Sequence, residues 1–109
     1  MNRVELMGEV SKDPTINNIN TTQKVANFHL KTVEVWASNG KESKRIEHHR
    51  IAAFGQFVEK IDGAIKAGSM IFIVGKLQTK KIPTGDSVSF STSVILSNNS
   101  EHKVVLCSG

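Results

Sequence analysis

Apolar and polar residues alternate from the start of the chain. Val4, Leu6, Gly8 and Val10 share one parity, while Glu5, Met7 and Glu9 share the other. A period of two predicts a strand over residues 3–10 with one buried face. Asp13-Pro14 breaks the pattern, and the polar stretch 17–24 reads as a loop. A second strand is predicted over residues 25–36. Its Ala26, Phe28 and Leu30 face one way; Asn27, His29 and Lys31 face the other. At Val33 and Val35 the apolar parity flips, which predicts a bulge or a strong bend. Residues 37–44 read as a polar loop containing the tight-turn pair Asn39-Gly40.

The next strand is predicted over residues 45–54. The period then changes over residues 56–67, where Phe57, Ile61, Ala64 and Ile65 form one helical face. Gly68 is placed to end that helix, and Gly63 inside it is a poor helix former. Residues 69–82 predict a long strand, and Pro83-Thr84-Gly85-Asp86 a turn. Alternation resumes through Val88, Phe90, Thr92, Val94 and Leu96, and residues 102–107 add a last short strand. Five or six strands, with one helix between the third and the fourth, predict an all-β chain closed into a small barrel.

Composition narrows the function. The chain has 109 residues, 39% hydrophobic and 22% charged, which fits one compact domain and excludes wholesale disorder. A net charge of +4 and a pI near 9.4 favour a polyanionic partner, either nucleic acid or an anionic membrane surface. The longest apolar run, residues 70–74, is far short of the ~20 residues that cross a bilayer. Cys107 is the only cysteine, so no disulfide forms within the chain, and a reducing compartment is expected. The first residues show no leader pattern. A cytoplasmic protein without membrane contact is the expectation.

Catalysis finds little support. His48 and His49 are adjacent on a predicted strand, so they point to opposite faces and cannot share a metal. No His/Cys pair has a zinc spacing, and His29 and His102 read as surface residues. Gly75-Lys76 lacks the rest of a phosphate loop, and no Gly-x-Ser-x-Gly elbow occurs. No enzyme activity, metal or cofactor is expected.

Binding chemistry is better represented. The even positions of residues 45–54 place Arg50 in a row with His48 and Phe54. In the long strand Lys76, Gln78, Lys80 and Ile82 share one parity, with Lys81 at the turn. Trp36 ends a strand beside the loop that carries Lys41 and Lys44. Flat rings interleaved with cations suit an unpaired nucleic-acid strand, which offers base faces to stack and one negative charge per linkage. The plainer reading makes Phe54 a core residue, Trp36 a barrel cap and the lysines solvated surface. A structural or adaptor role is a further reading, with Glu47, His49, Ile51, Met70 and Phe72 as subunit contacts.

At these residues the chain resembles the bacterial single-stranded DNA-binding protein family. The resemblance rests on MNRVELMGEVSKDP, KVANFHLKT, Trp36, IEHHRIAAFG and KAGSMIFIVGKLQTKK, in the family's order and spacing. It implies an OB-fold, a five-stranded Greek-key barrel with one short helix between strands 3 and 4, that spans residues 1–109 as one domain. It implies binding of single-stranded DNA without strong sequence preference, in replication, recombination and repair, by a homotetramer. The family's stacking positions fall on Trp36, His48, Phe54 and Ile82. Its phosphate-contacting cations fall on Arg50, Lys80 and Lys81, with Arg3 as a lesser candidate, and its interface histidine on His49.

The chain departs from the family at two of those stacking positions. His48 offers less stacking area than an indole, and Ile82 offers no ring. The acidic tip through which the family recruits replication and repair proteins is not found in KVVLCSG. A small primosomal replication protein, also an OB-fold but usually dimeric, is the alternative; HHRIAAFG and VANF fit it less well.

Overall fold

In the computed structural model, which describes residues 1–108, the first strand uses both of its edges. β1 (Val4–Val10) runs antiparallel to β5 (Met70–Thr84) from Val4↔Gly75 to Glu9↔Met70. At Glu9 and Val10 it turns to β3 (Lys24–Ser38), pairing with Lys31 and Leu30. β3 pairs with β4 (Lys41–Phe54), β4 runs parallel to β6 (Ser87–Leu96), and β6 returns to β5. The order β1-β3-β4-β6-β5-β1 closes a five-stranded barrel, as expected from the sequence. β2 (Thr15–Asn18) and β7 (Lys103–Ser108) lie outside this cycle, on β3 and β5. Closure needs a close approach at Gly8: a Cβ there would lie 2.1 Å from the Lys31 carbonyl oxygen.

The inward parity fills the barrel. Phe28 and Leu30 of β3, Ile51 and Ala53 of β4, Ile71 and Ile73 of β5, and Leu96 of β6 form one buried cluster. Burying each large apolar side chain contributes about 1.5–3 kcal/mol. α1 (Gln56–Ile61) plugs one end with Phe57 and Ile61. The predicted helical face is present, but the helix stops well before Gly68. Asp62 leaves the helical region with ψ 119° and Gly63 follows with φ +80°. Ile65 still reaches the core, because its N–H donates to the Ile61 carbonyl.

Other expectations change. Residues 15–18, partly placed in a loop, form an edge strand whose Ile16 pairs with Ala26. Residues 37–44 are the end of a long hairpin, turned by Asn39 (φ 52°) and Gly40 (φ 76°). That pair of left-handed residues matches the twist of the two strands. The bulge expected at Val33 is absent, because the β3–β4 register is unbroken from Val25↔Phe54 to Ser38↔Lys41. The apolar parity flips there because the ribbon leaves the barrel, so neither side has a core to cover. Pro83 and Thr84 belong to β5, and the turn is Gly85-Asp86. His102 is buried at 8% exposure, not on the surface, and its Nδ1 accepts the Ser97 N–H at 3.0 Å.

Two ribbons, β3–β4 and β5–β6, thus extend from the barrel. They stretch the molecule to 56 × 43 × 29 Å and its radius of gyration to 15.6 Å. A compact chain of this length has about 13 Å. No helix among the described residues is long and apolar enough to cross a membrane.

Candidate nucleic-acid interface

Strand register gathers the outward side chains onto one face. Asn27 of β3 pairs with Ala52 of β4, which pairs with Ile95 of β6, which pairs with Lys76 of β5. Side chains two residues apart share a side. The outward rows are therefore Val25, Asn27 and His29; Phe54, Ala52, Arg50 and His48; Ile95, Ser93 and Ser91; and Lys76, Gln78, Lys80 and Ile82.

A groove of about 580 Å³ runs over this face, with Arg50, Phe54, Lys80 and Ile82 in its walls. Gln78, Ser91 and Ser93 contribute hydroxyl and amide groups, and Val25 and Ile19 contribute apolar surface. Two cations line the groove and no carboxylate does. A second depression of about 600 Å³ adjoins it, since Asn27 and Arg50 line both. It brings in His48, His29 and Lys12. Ser11 Oγ lies 3.3 Å from His48 Nδ1, which steadies the ring against the β1–β2 connection. Arg50 donates from Nη1 to the Ser91 hydroxyl. Its guanidinium is thereby fixed over β6, and Ser91 is the register partner of Lys80.

Five of the remaining candidates do not line the groove. Trp36 is 46% exposed, on the even parity of β3 beyond the barrel. Without a bulge at Val33, that parity stays on the reverse of the ribbon from His48 and Lys44. Lys41 shares the Trp36 side, whereas Lys44 extends the Arg50–His48 row outward. Lys81 sits within β5 rather than at a turn, on the opposite side from Lys80. Arg3 reaches two carboxylates, Glu5 at 3.7 Å and Glu101 at 3.8 Å.

The suggested subunit contacts are also separated. His49 faces the reverse of β4, with Nε2 2.7 Å from Thr32 Oγ1. Met70 and Phe72 lie on the outer face of β5. Phe72 pairs with Met7 of β1 and Val105 of β7, which are 59% and 47% exposed, so an apolar row crosses three strands.

A larger cavity of about 920 Å³ lies beside α1, with Phe54 at its edge. Glu59 and Asp62 outnumber Lys24 there, so its charge does not suit an anion. Among the described residues, no three His, Cys, Asp or Glu side chains converge as a metal site would require.

Sequence reasoning did not single out Ser91, Ser93, Asn27 or Ser11. The alternation of Ser89, Ser91 and Ser93 with Val88, Phe90 and Thr92 is the signal that places the three serines together on one side of their strand.

The model of the Single-strand binding protein family matches residues 1–102. The single-stranded DNA-binding proteins of Rickettsia felis and Rickettsia typhi are each 30% identical over 110 residues, covering 97% of this chain and 72% of theirs. A solved Plasmodium falciparum SSB in complex with ssDNA has a TM-score of 0.90 at 30% identity, covering 97% of this chain and 94% of that one. The barrel with its single helix matches an OB-fold.

Proposed function

The chain belongs to the single-strand binding protein family, and on that premise we propose that it binds single-stranded DNA in the groove between β4 and β5. The observation that carries this reading is the groove itself, with Phe54, Arg50 and Lys80 along one wall-to-wall path free of carboxylates.

The chemistry follows from the side chains. A base lays its face on the Phe54 ring, which contributes about 1–3 kcal/mol. Arg50 and Lys80 receive the neighbouring phosphates. Because Ser91 already orients the guanidinium, less entropy is lost when the phosphate arrives. Ile82 supplies apolar contact without stacking, and His48 extends the path toward Lys44. Gln78, Ser91 and Ser93 hydrogen-bond bases or sugars without a one-to-one code, so sequence preference is slight. Trp36 and Lys41, on the reverse of the β3–β4 ribbon, meet the strand only where it passes the ribbon. Lys81 and Arg3 take no part in the groove. A duplex binds poorly because its base faces are already covered.

The whole of residues 1–109 serves as one such unit, without catalytic activity or cofactor, in DNA replication, recombination and repair in the cytoplasm. The apolar row Met7–Phe72–Val105, with Met70 beside it, joins copies of the chain into an oligomer. A tetramer is the arrangement proposed, with His49 at a second contact. Replication and repair proteins are its proposed protein partners.

Titration with oligo-dT and with a duplex of equal length tests the reading. Tight, salt-sensitive binding of the single strand alone supports it, and equal affinity for the duplex contradicts it.

A further inference from the structure

Phe90 is the phenylalanine that the fold leaves in water. Phe28 and Phe57 are buried, and Phe54 and Phe72 are half-buried, but Phe90 is 69% exposed. A phenyl ring left in water forgoes the burial energy that the others gain. Phe90 sits on β6 toward the tip of the β5–β6 ribbon, on the side opposite Ser91 and the groove. Register gives it a cation: Lys81 of β5 is its direct partner. Among the described residues, neither takes part in an ion pair or a cation–π contact. Asp86, at the turn, is the one carboxylate of residues 76–97. On the same side, Thr79 and Thr92 share a hydrogen bond of 2.9 Å and Val88 is exposed.

The ribbon is narrow here. β5 pairs with β1 and β7 no further along than Gly75, and β6 pairs with β4 only over Val94–Leu96. Beyond those points the ribbon is only two strands wide, with about 4.8 Å between the strands in its plane, so the way round its edge from front to back is short. The front carries Lys80 and Ile82 of the groove; the back carries Lys81 and Phe90. We propose that Phe90 and Lys81 form a second stacking platform for single-stranded DNA. A long strand leaves the groove past Ile82, crosses the edge of the ribbon, and lays a base on Phe90 with a phosphate at Lys81. This rests on the groove reading, and it adds a contact that only a strand longer than the groove can make.

The test uses the full chain with a short oligo-dT of about 5 nucleotides and a long one of about 35, the first near the lower end of the ~4–16 that one OB-fold covers and the second well beyond it. Phe90→Leu keeps apolar bulk but removes the ring, and Phe90→Tyr keeps the ring. The expected result is a roughly 5- to 150-fold loss for Phe90→Leu on the long oligonucleotide. The short one should be unaffected, and Phe90→Tyr should behave as the parent chain. Arg50→Gln, run in parallel, should weaken both lengths; if it weakens neither, the groove reading fails separately. Unchanged long-oligonucleotide affinity in Phe90→Leu overturns the proposal. A lower solution mass of Phe90→Leu without DNA also overturns it, because the ring is then a contact between copies.

Discussion

Arg50 donates to the Ser91 hydroxyl, so a cation of β4 is held against the strand that carries the register partner of Lys80. The two cations of the groove thus sit on β4 and β5, on either side of β6. Removing either end of that contact has separable effects. Arg50→Gln removes a phosphate partner, so affinity for oligo-dT should fall and the salt slope should drop by about 0.7. Ser91→Ala leaves the charge but frees it, so affinity should fall less and the slope should stay. Titrations across a series of salt concentrations distinguish the two.

Phe54 borders both the groove and the cavity beside α1, and it is only half-buried. Phe54→Ala should weaken oligo-dT binding by about 1–3 kcal/mol, the worth of one stacked base. Thermal melting should change little beside that loss. If the variant melts far below the parent chain while retaining affinity, Phe54 is a core residue and not a platform.

Trp36 reports on the ribbon. It lies seven residues along β3 from His29, the register partner of Arg50, which is about 23 Å at ~3.3 Å per residue. An oligo-dT that only fills the groove should leave its fluorescence unchanged, and a long one should quench it. Quenching by the shortest oligonucleotide that binds would place Trp36 in the groove path instead.

Much of this interface is legible in the sequence, because alternation assigns each strand residue a side. The outward parity of Arg50 and Phe54, and that of Lys80 and Ile82, can be read directly. Parity does not reveal which strands are neighbours. β6 lies between β4 and β5, parallel to one and antiparallel to the other, so Ser91 cannot be recognised as the partner of Arg50 from alternation alone. The flip at Val33 shows a different limit: it suggested a bulge or a strong bend, and the β3–β4 register is unbroken there. The flip has another cause: the ribbon has left the barrel, and apolar side chains there cover no core. The helix ran short for a local reason, since Asp62 and Gly63 leave helical geometry while Ile65 keeps its place in the core.

Gly8 tests how the barrel closes. A Cβ placed there meets the Lys31 carbonyl, which is backbone and cannot swing aside. Gly8→Ala should destabilise the fold by about 1–3 kcal/mol, or more if β1 and β3 separate. A fall in melting temperature checks this, and an unchanged melting temperature would mean that β1 shifts without cost.

The central claim is that Arg50 and Lys80 together hold the phosphates of one unpaired strand. The dependence of log K on log salt, measured for oligo-dT with the parent chain and with Arg50→Gln/Lys80→Gln, tests it most directly. Two lost phosphate contacts should flatten the slope by about 1.4 and weaken binding at low salt. A double variant with the parent's slope and affinity would show that the strand lies elsewhere on the molecule.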